Sequence, residues 1–135
     1  MQTITLDHDI NVLYVNAKSF PNGIMAAFDK LHELIADAPK RNIYGISRPE
    51  QGTIQYKAAA EELSPGEAGK RHAYSMVIKK GRYISTVIND FMKDMPAISK
   101  TFKELLAHPG IDPEGYCVEW YFNEKDVNCM VRLKD

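Results

Sequence analysis

The sequence predicts an α+β fold: tandem duplicated β-β-α-β-β units forming a mostly antiparallel sheet with two helices and a central pseudo-twofold groove. Three observations predict it. First, apolar residues recur in register from Leu13 to Ile35 and from Ile84 to Leu106. Leu13 matches Ile84, Phe20 matches Phe91, Ala27 matches Ile98, Leu31 matches Phe102, Leu34 matches Leu105 and Ile35 matches Leu106. An internal repeat of this kind organises the reading of the whole chain. Second, each copy runs into an aromatic strand, Tyr44-Gly45-Ile46 in one and Tyr116-Cys117-Val118 in the other. Third, strands flank each helix on both sides without regular β-α alternation, which favours an antiparallel sheet carrying helices. Two like halves meet at a seam, and seams are favoured places for ligands.

The first unit begins with a short strand near Thr3–Leu6, turns at Asp7-His8-Asp9 and continues as a strand over Ile10–Ala17. A helix is expected from about Pro21 to Asp37, with Ile24, Phe28, Leu31, Leu34 and Ile35 on one apolar stripe and Pro39 as the stop. Strands over Asn42–Ser47 and Thr53–Ala60 follow, joined by Arg48-Pro49-Glu50-Gln51-Gly52. The polar stretch Glu61–Arg71, with Pro65, Gly66 and Gly69, is the connector between the copies. Its GEAGKR lacks the glycine spacing, the following Ser or Thr, and the strand-to-helix context of a phosphate loop. The second unit repeats the order: strands over Ala73–Lys79 and Arg82–Ile88 around Lys80-Gly81, then a helix over Met95–His108. Asp94 is its expected N-cap, Pro96 suits its first turn and Gly110 lies just past its end. A hairpin of Tyr116–Phe122 and Val127–Leu133, turning at Asn123–Asp126, closes the chain.

Composition narrows the function classes. The 135 residues fit one domain, with repeats at 1–60 and 73–135 and a connector over 61–72. Hydrophobic residues make up 44% and charged residues 26%, with a net charge of −1, so a basic face for direct nucleic-acid binding is not expected. The apolar runs are too short to span a bilayer. The start MQTITLDHD has no basic-then-apolar signal. A cytoplasmic location with Cys117 and Cys129 reduced is the expectation. The histidines His8, His32, His72 and His108 are scattered, so neither a metal site nor a cofactor is expected. No nucleophile motif is present.

The one polar residue that stands out is Glu119. Strands alternate faces with period two, so Cys117, Glu119 and Tyr121 share one face while Tyr116, Val118, Trp120 and Phe122 share the other. A carboxylate in so apolar a strand is costly unless paired or hydrogen-bonded. It either lines a ligand pocket or is satisfied by Lys, Arg or solvent. If the first hairpin closes around Glu50-Gln51, Gly45 stands opposite Tyr56 and Ser47 opposite Ile54, with small residues at Gly45, Ser47 and Ala58 leaving space. Glu119, Tyr121 and Tyr56 then line one cavity, suited to a flat apolar cation through ion pairing and cation–π contact. Phe20 and Phe91 hold equivalent places before the two helices, as hydrophobic staples or as further stacking surface. Tyr14, Tyr44, Tyr74 and Tyr83 read as core, and so does Trp120 unless a bulge turns it.

The segment GRYISTVIND…MPAISKTFKELLAHPGIDPEGYCVEWYF…DVNCMVRL resembles the C-terminal half of the GyrI-like small-molecule-binding domain, and YGISRP with IQYKAAAEE resembles its first half. The shared pattern is a Gly-x-Tyr strand (Gly81, Tyr83), an amphipathic helix, a short Pro/Gly loop and an aromatic strand with an embedded glutamate. The resemblance implies two tandem units around a pseudo-twofold groove, with Glu119 as the groove glutamate that meets lipophilic, often cationic, ligands. It implies a multidrug-sensing type of bacterial effector-binding domain. This chain shows no helix-turn-helix, so direct DNA regulation is not expected. Some family members inhibit DNA gyrase by protein contact. Others hydrolyse strained cyclopropane-containing natural products with the pocket glutamate. The expectation is therefore a stand-alone binder of small amphipathic or cationic aromatic molecules. The alternatives are a hydrolase with Glu119 as general base, and a protein partner such as gyrase or a regulator.

Overall fold

The structure, a computed structural model, describes residues 1–36 and 40–135. Among them are eight strands: β1 (Gln2–Leu6), β2 (Ile10–Asn16), β3 (Ile43–Glu50), β4 (Thr53–Glu61), β5 (Tyr74–Ile78), β6 (Gly81–Ile88), β7 (Cys117–Tyr121) and β8 (Val127–Arg132). They form one antiparallel sheet in the order β1-β6-β8-β7-β3-β4-β2-β5. If the two units exchange labels, that order reads the same backwards. The centre is the β3–β7 pair, with Gly45 facing Glu119 and Ser47 facing Cys117. β1 pairs with β6 and β5 with β2, so each unit's first strand completes the other unit's half of the sheet.

The helices are α1 (Ile24–Leu34), α2 (Glu67–Lys70) and α3 (Pro96–Leu106), with a 3-10 turn at Phe91–Lys93 leading into α3. α1 and α3 cover the same face of the sheet. Leu31 and Ala27 of α1 pack on Leu13, Ala58 and Ala60. Phe102 and Leu105 of α3 pack on Ile84, Val127, Cys129 and Val131. Among the described residues, no helix covers the opposite face. Its core joins Val12, Tyr44, Ile46, Tyr83, Val118 and Met130 with Ile4 and Leu6 from one edge and Met76 and Ile78 from the other. Edge residues meet in one cluster because the sheet curls into a half-barrel around them, as strand twist allows.

Several boundaries differ from the sequence expectation. β3 runs on through Arg48, Pro49 and Glu50, and the hairpin turns only at Gln51-Gly52. Both turn residues have positive φ, 53° and 83°, the two-residue geometry whose twist matches paired strands. The register therefore shifts by two: Gly45 faces Ala58, not Tyr56, and Ser47 faces Tyr56, not Ile54. A shift of two keeps every side chain on its face. The connector is not purely irregular, because α2 folds within it. Its Glu67 accepts from Arg41 at 2.8 Å, from Arg71 at 2.7 Å and from the Leu63 N–H at 2.8 Å. α1 starts at Ile24 rather than Pro21, with Gly23 as its N-cap, and the expected end at Asp37 and stop at Pro39 lie outside the described residues. Met95, not Asp94, stands at the N-cap position of α3, and no side chain caps that end. Tyr44 and Tyr83 are buried as expected, whereas Tyr74 on the edge strand β5 is 63% exposed.

Candidate functional site

The centre of the helix-covered face is a glutamate held by two tyrosines. Glu119 is only 7% exposed. Its Oε1 accepts from the Tyr56 hydroxyl at 2.8 Å and from the Tyr121 hydroxyl at 2.5 Å. Period-two alternation puts Glu119 and Tyr121 on one side of β7. The β3 register then carries Tyr56 of β4 to the same place from the other unit. Gly45 lies between them. A Cβ there would overlap the Tyr56 hydroxyl and stand 2.6 Å from Glu119 Oε1, so the bond across the seam needs a residue without a side chain.

Burial governs the electrostatics. It raises the Glu119 carboxyl above its ordinary 4.5, and the two tyrosine hydroxyls oppose that rise only in part. Burial, followed by the adjacent carboxylate, pushes both Tyr56 and Tyr121 up, so they remain protonated donors. Burial also raises Cys117 to about 11 and Cys129 to about 12, which keeps both free thiols unreactive. Among the described residues no Lys, Arg or His pairs with Glu119; each described ion pair lies elsewhere. The alternative of a cation-satisfied glutamate is not what this geometry shows.

Further aromatic rings pack against the two tyrosines. Phe20 stacks on Tyr56 with centroids 6.0 Å apart. Phe91 meets Tyr121 edge-on at 5.2 Å. The two phenylalanines before the helices thus play matching parts, each against the tyrosine of its own side. Phe28 stands between, 6.1 Å from Tyr56 and 6.0 Å from Tyr121. The structure therefore brings Glu119, Tyr121, Tyr56, Phe20 and Phe91 together, and adds Phe28. Sequence reasoning placed Phe28 on the buried stripe of its helix and missed it. One signal was available: in the repeat its counterpart is Ser99, so bulk is present on one side only.

Phe20 is 41% exposed at the rim. Beside it opens a basin of about 490 Å³ lined by Ala17, Lys18, Ser19, Phe20, Thr53, Ile54 and Gln55. Of the rings around the site, Phe20 alone is in its lining. Trp120 faces away from the site and donates to Asn42 Oδ1 at 3.3 Å. Among the described residues no group of three His, Cys, Asp or Glu side chains could hold a metal ion. Nor is any helix among them long and apolar enough to cross a membrane.

No family model matches the chain, and no curated protein matches its sequence. Solved structures do share its fold. An integron cassette protein from the mobile metagenome of Vibrio cholerae superposes with a TM-score of 0.69 at 15% identity, over 98% of this chain and 95% of that one. SAV2435, solved bound to tetraphenylphosphonium, gives 0.68 at 14%, over 98% and 93%. A hydrolase from Listeria innocua gives 0.62 at 9%, over 98% and 90%. At these identities the likeness establishes the fold.

Proposed function

We propose that this chain is a single GyrI-like binding domain for small amphipathic or cationic aromatic molecules, with the Glu119 cage as its site. One observation carries the reading: a buried carboxylate, without a basic partner among the described residues, held by two tyrosines against which three phenylalanine rings pack. A buried charge without a counter-ion is costly, and a lipophilic cation supplies the missing charge. Phe20, Phe28, Tyr56, Phe91 and Tyr121 offer faces for stacking and cation–π contact, of roughly 0.5–2 kcal/mol each. Phe20 is the most exposed of them, and the basin beside it is the way in. The ligand slides between Phe20 and Tyr56 and draws Glu119 into its charged form. That SAV2435, of the same fold, was solved bound to tetraphenylphosphonium is consistent with this.

Calorimetric titration with tetraphenylphosphonium tests the reading. Saturable binding that weakens in both Tyr56→Ala and Tyr121→Ala is expected. Absence of binding, or binding indifferent to both, overturns it.

A second reading is favoured by the raised Glu119 carboxyl and by the hydrolase that shares the fold. Glu119 would act as general base, taking a proton from water as it attacks a strained electrophile. Incubation with a cyclopropane-bearing electrophile, followed by mass spectrometry, separates the two. The binder returns its ligand unchanged. Catalytic formation of hydrolysed product, lost in Glu119→Gln, establishes the hydrolase.

A further inference from the structure

We propose that the basin beside Phe20 docks an extended peptide segment, which adds to the free edge of β4. An aromatic residue of the segment lies against Phe20 and Ile54, with an acidic residue just before it. The site does not depend on what Glu119 binds. β4 is longer than the strand that covers its outer edge. The β2–β4 ladder ends with Asn16 opposite Lys57, and one more bond runs from the Ala17 N–H to the Tyr56 carbonyl at 2.9 Å. The chain then turns away, with the Gly23 N–H on the Ser19 carbonyl. Thr53, Ile54 and Gln55 are left with β3 on one side and the basin on the other.

Strand alternation decides which groups face it. The Glu61 N–H bonds to the Asn42 carbonyl, so every second pair of the β3–β4 ladder is hydrogen-bonded, down to Arg48 with Gln55. Ile54 stands opposite Pro49 in a pair without such bonds, where a residue lacking an N–H breaks no ladder bond. The Ile54 N–H and C=O therefore point away from β3, as the Tyr56 carbonyl does. Among the described residues neither has a partner. A free strand edge of this kind binds by pairing.

The walls select what pairs. The basin of about 490 Å³ is of ligand-pocket size, and three unpaired residues span about 10 Å. It therefore takes roughly three residues of an extended chain. Ile54 is 43% exposed, close to the 41% of Phe20. An incoming residue that exchanges both bonds with Ile54 puts its side chain on the face of Ile54, where Phe20 stacks on Tyr56. Lys18 is the one charged residue of the described lining. Glu50, across the hairpin, is held by Arg48 at 2.8 Å and by alternation lies on the other face. Antiparallel addition, the mode of this whole sheet, sets the residue before the aromatic one beside Gln55 and Lys18, where a carboxylate is favoured.

The test uses the full chain and the peptide acetyl-Glu-Phe-Thr-amide, followed by amide chemical-shift mapping. Shifts should cluster at Lys18, Thr53, Ile54 and Gln55 and saturate by about 10 mM. N-methylation of the peptide's Phe nitrogen removes the donor to the Ile54 carbonyl and should weaken binding about ten-fold or more. N-methylation of its Thr nitrogen, which faces away, should change little. Acetyl-Lys-Phe-Thr-amide should bind about two- to five-fold more weakly, as for loss of an exposed ion pair, and Lys18→Glu should reverse that order. Circular dichroism checks that the variant folds, and the peptide comparisons in the unmodified chain do not depend on it. Equal binding of the Phe-methylated peptide would make the basin an apolar hollow without strand pairing. Shifts at Ile54 that follow chain concentration without peptide would make a second copy the occupant. Either result, indifference to the peptide's charge, shifts centred on Glu119, or no saturation by about 10 mM overturns the proposal.

Discussion

At the residue scale, Glu119 gives the fold one of its pH dependences. Its folded-state carboxyl is raised above 4.5, so between 4.5 and the folded value the native chain holds a proton that the unfolded chain has released. Stability therefore falls as pH rises through that window. Glu119→Gln removes the effect. Denaturant unfolding at a series of pH values should show the variant gaining on the parent as pH rises above 4.5, then levelling off. A gap independent of pH would contradict the raised carboxyl. Gly45 sets the geometry. Gly45→Ala forces a Cβ into the Tyr56 hydroxyl, an overpacking expected to cost roughly 1–3 kcal/mol, and it should separate Tyr56 from Glu119. Unfolding midpoints measure the first effect. The second appears as loss of tetraphenylphosphonium binding in a chain that still folds.

The residue scale is also where the sequence was most and least legible. Parity along a strand is robust. The expected register of the first hairpin was wrong by two, because the turn was placed at Glu50-Gln51 instead of Gln51-Gly52, yet Tyr56 still came out on the face of Glu119. Helical periodicity has no such resolution. Phe28, on the same stripe as Leu31, is indistinguishable by spacing from a core residue, because it packs against the same cluster as Leu31 and meets Tyr56 and Tyr121 as well.

At the scale of elements, the short helix α2 is fastened by charge. Arg41 has a side chain only 1% exposed and reaches Glu67 at 2.8 Å, and Arg71 grips the other carboxylate oxygen at 2.7 Å. Arg41, with the Leu63 N–H and Arg71 adding to it, holds the Glu67 carboxyl down at about 2. A depressed carboxyl contributes stability above its unfolded value, and that contribution is lost as pH falls toward 2. Glu67→Gln leaves the Arg41 charge buried without its partner, which costs roughly 3–5 kcal/mol. Thermal unfolding at neutral pH should show this loss, and the difference from the parent should shrink in acid. A neutral substitution would show the latch to be ornamental. A polar stretch with Pro65, Gly66 and Gly69 reads as loop in sequence, since the arginine that orders it lies 26 residues away.

At the scale of the molecule, the repeat explains the sheet. Equivalent strands occupy mirrored places in the order, and the first strands are exchanged between units. Neither unit can then complete its half alone. A fragment of residues 73–135 should be largely unfolded by circular dichroism, because β6 would lack β1 on one side and β5 would lack β2. A cooperatively folding fragment would contradict the exchange. The repeat itself was legible because apolar residues recur in register in both copies, and the matched Leu31 and Phe102 are both buried. The exchange was not, because pairing partners of edge strands leave no local periodic trace.

The same symmetry places a small residue and an acid at equivalent points, Ser47 in one unit and Glu119 in the other, so the seam has one charge and not two. On the proposed reading, that single charge makes the site selective. The most direct measurement is calorimetric titration of tetraphenylphosphonium and of neutral triphenylphosphine oxide into the parent chain and Glu119→Gln. The substitution should weaken the cation by roughly 1.5–3 kcal/mol, as for a hydrogen bond to a charged group, and leave the neutral ligand nearly unchanged. An equal loss for both ligands would make Glu119 a structural residue and contradict the cation site.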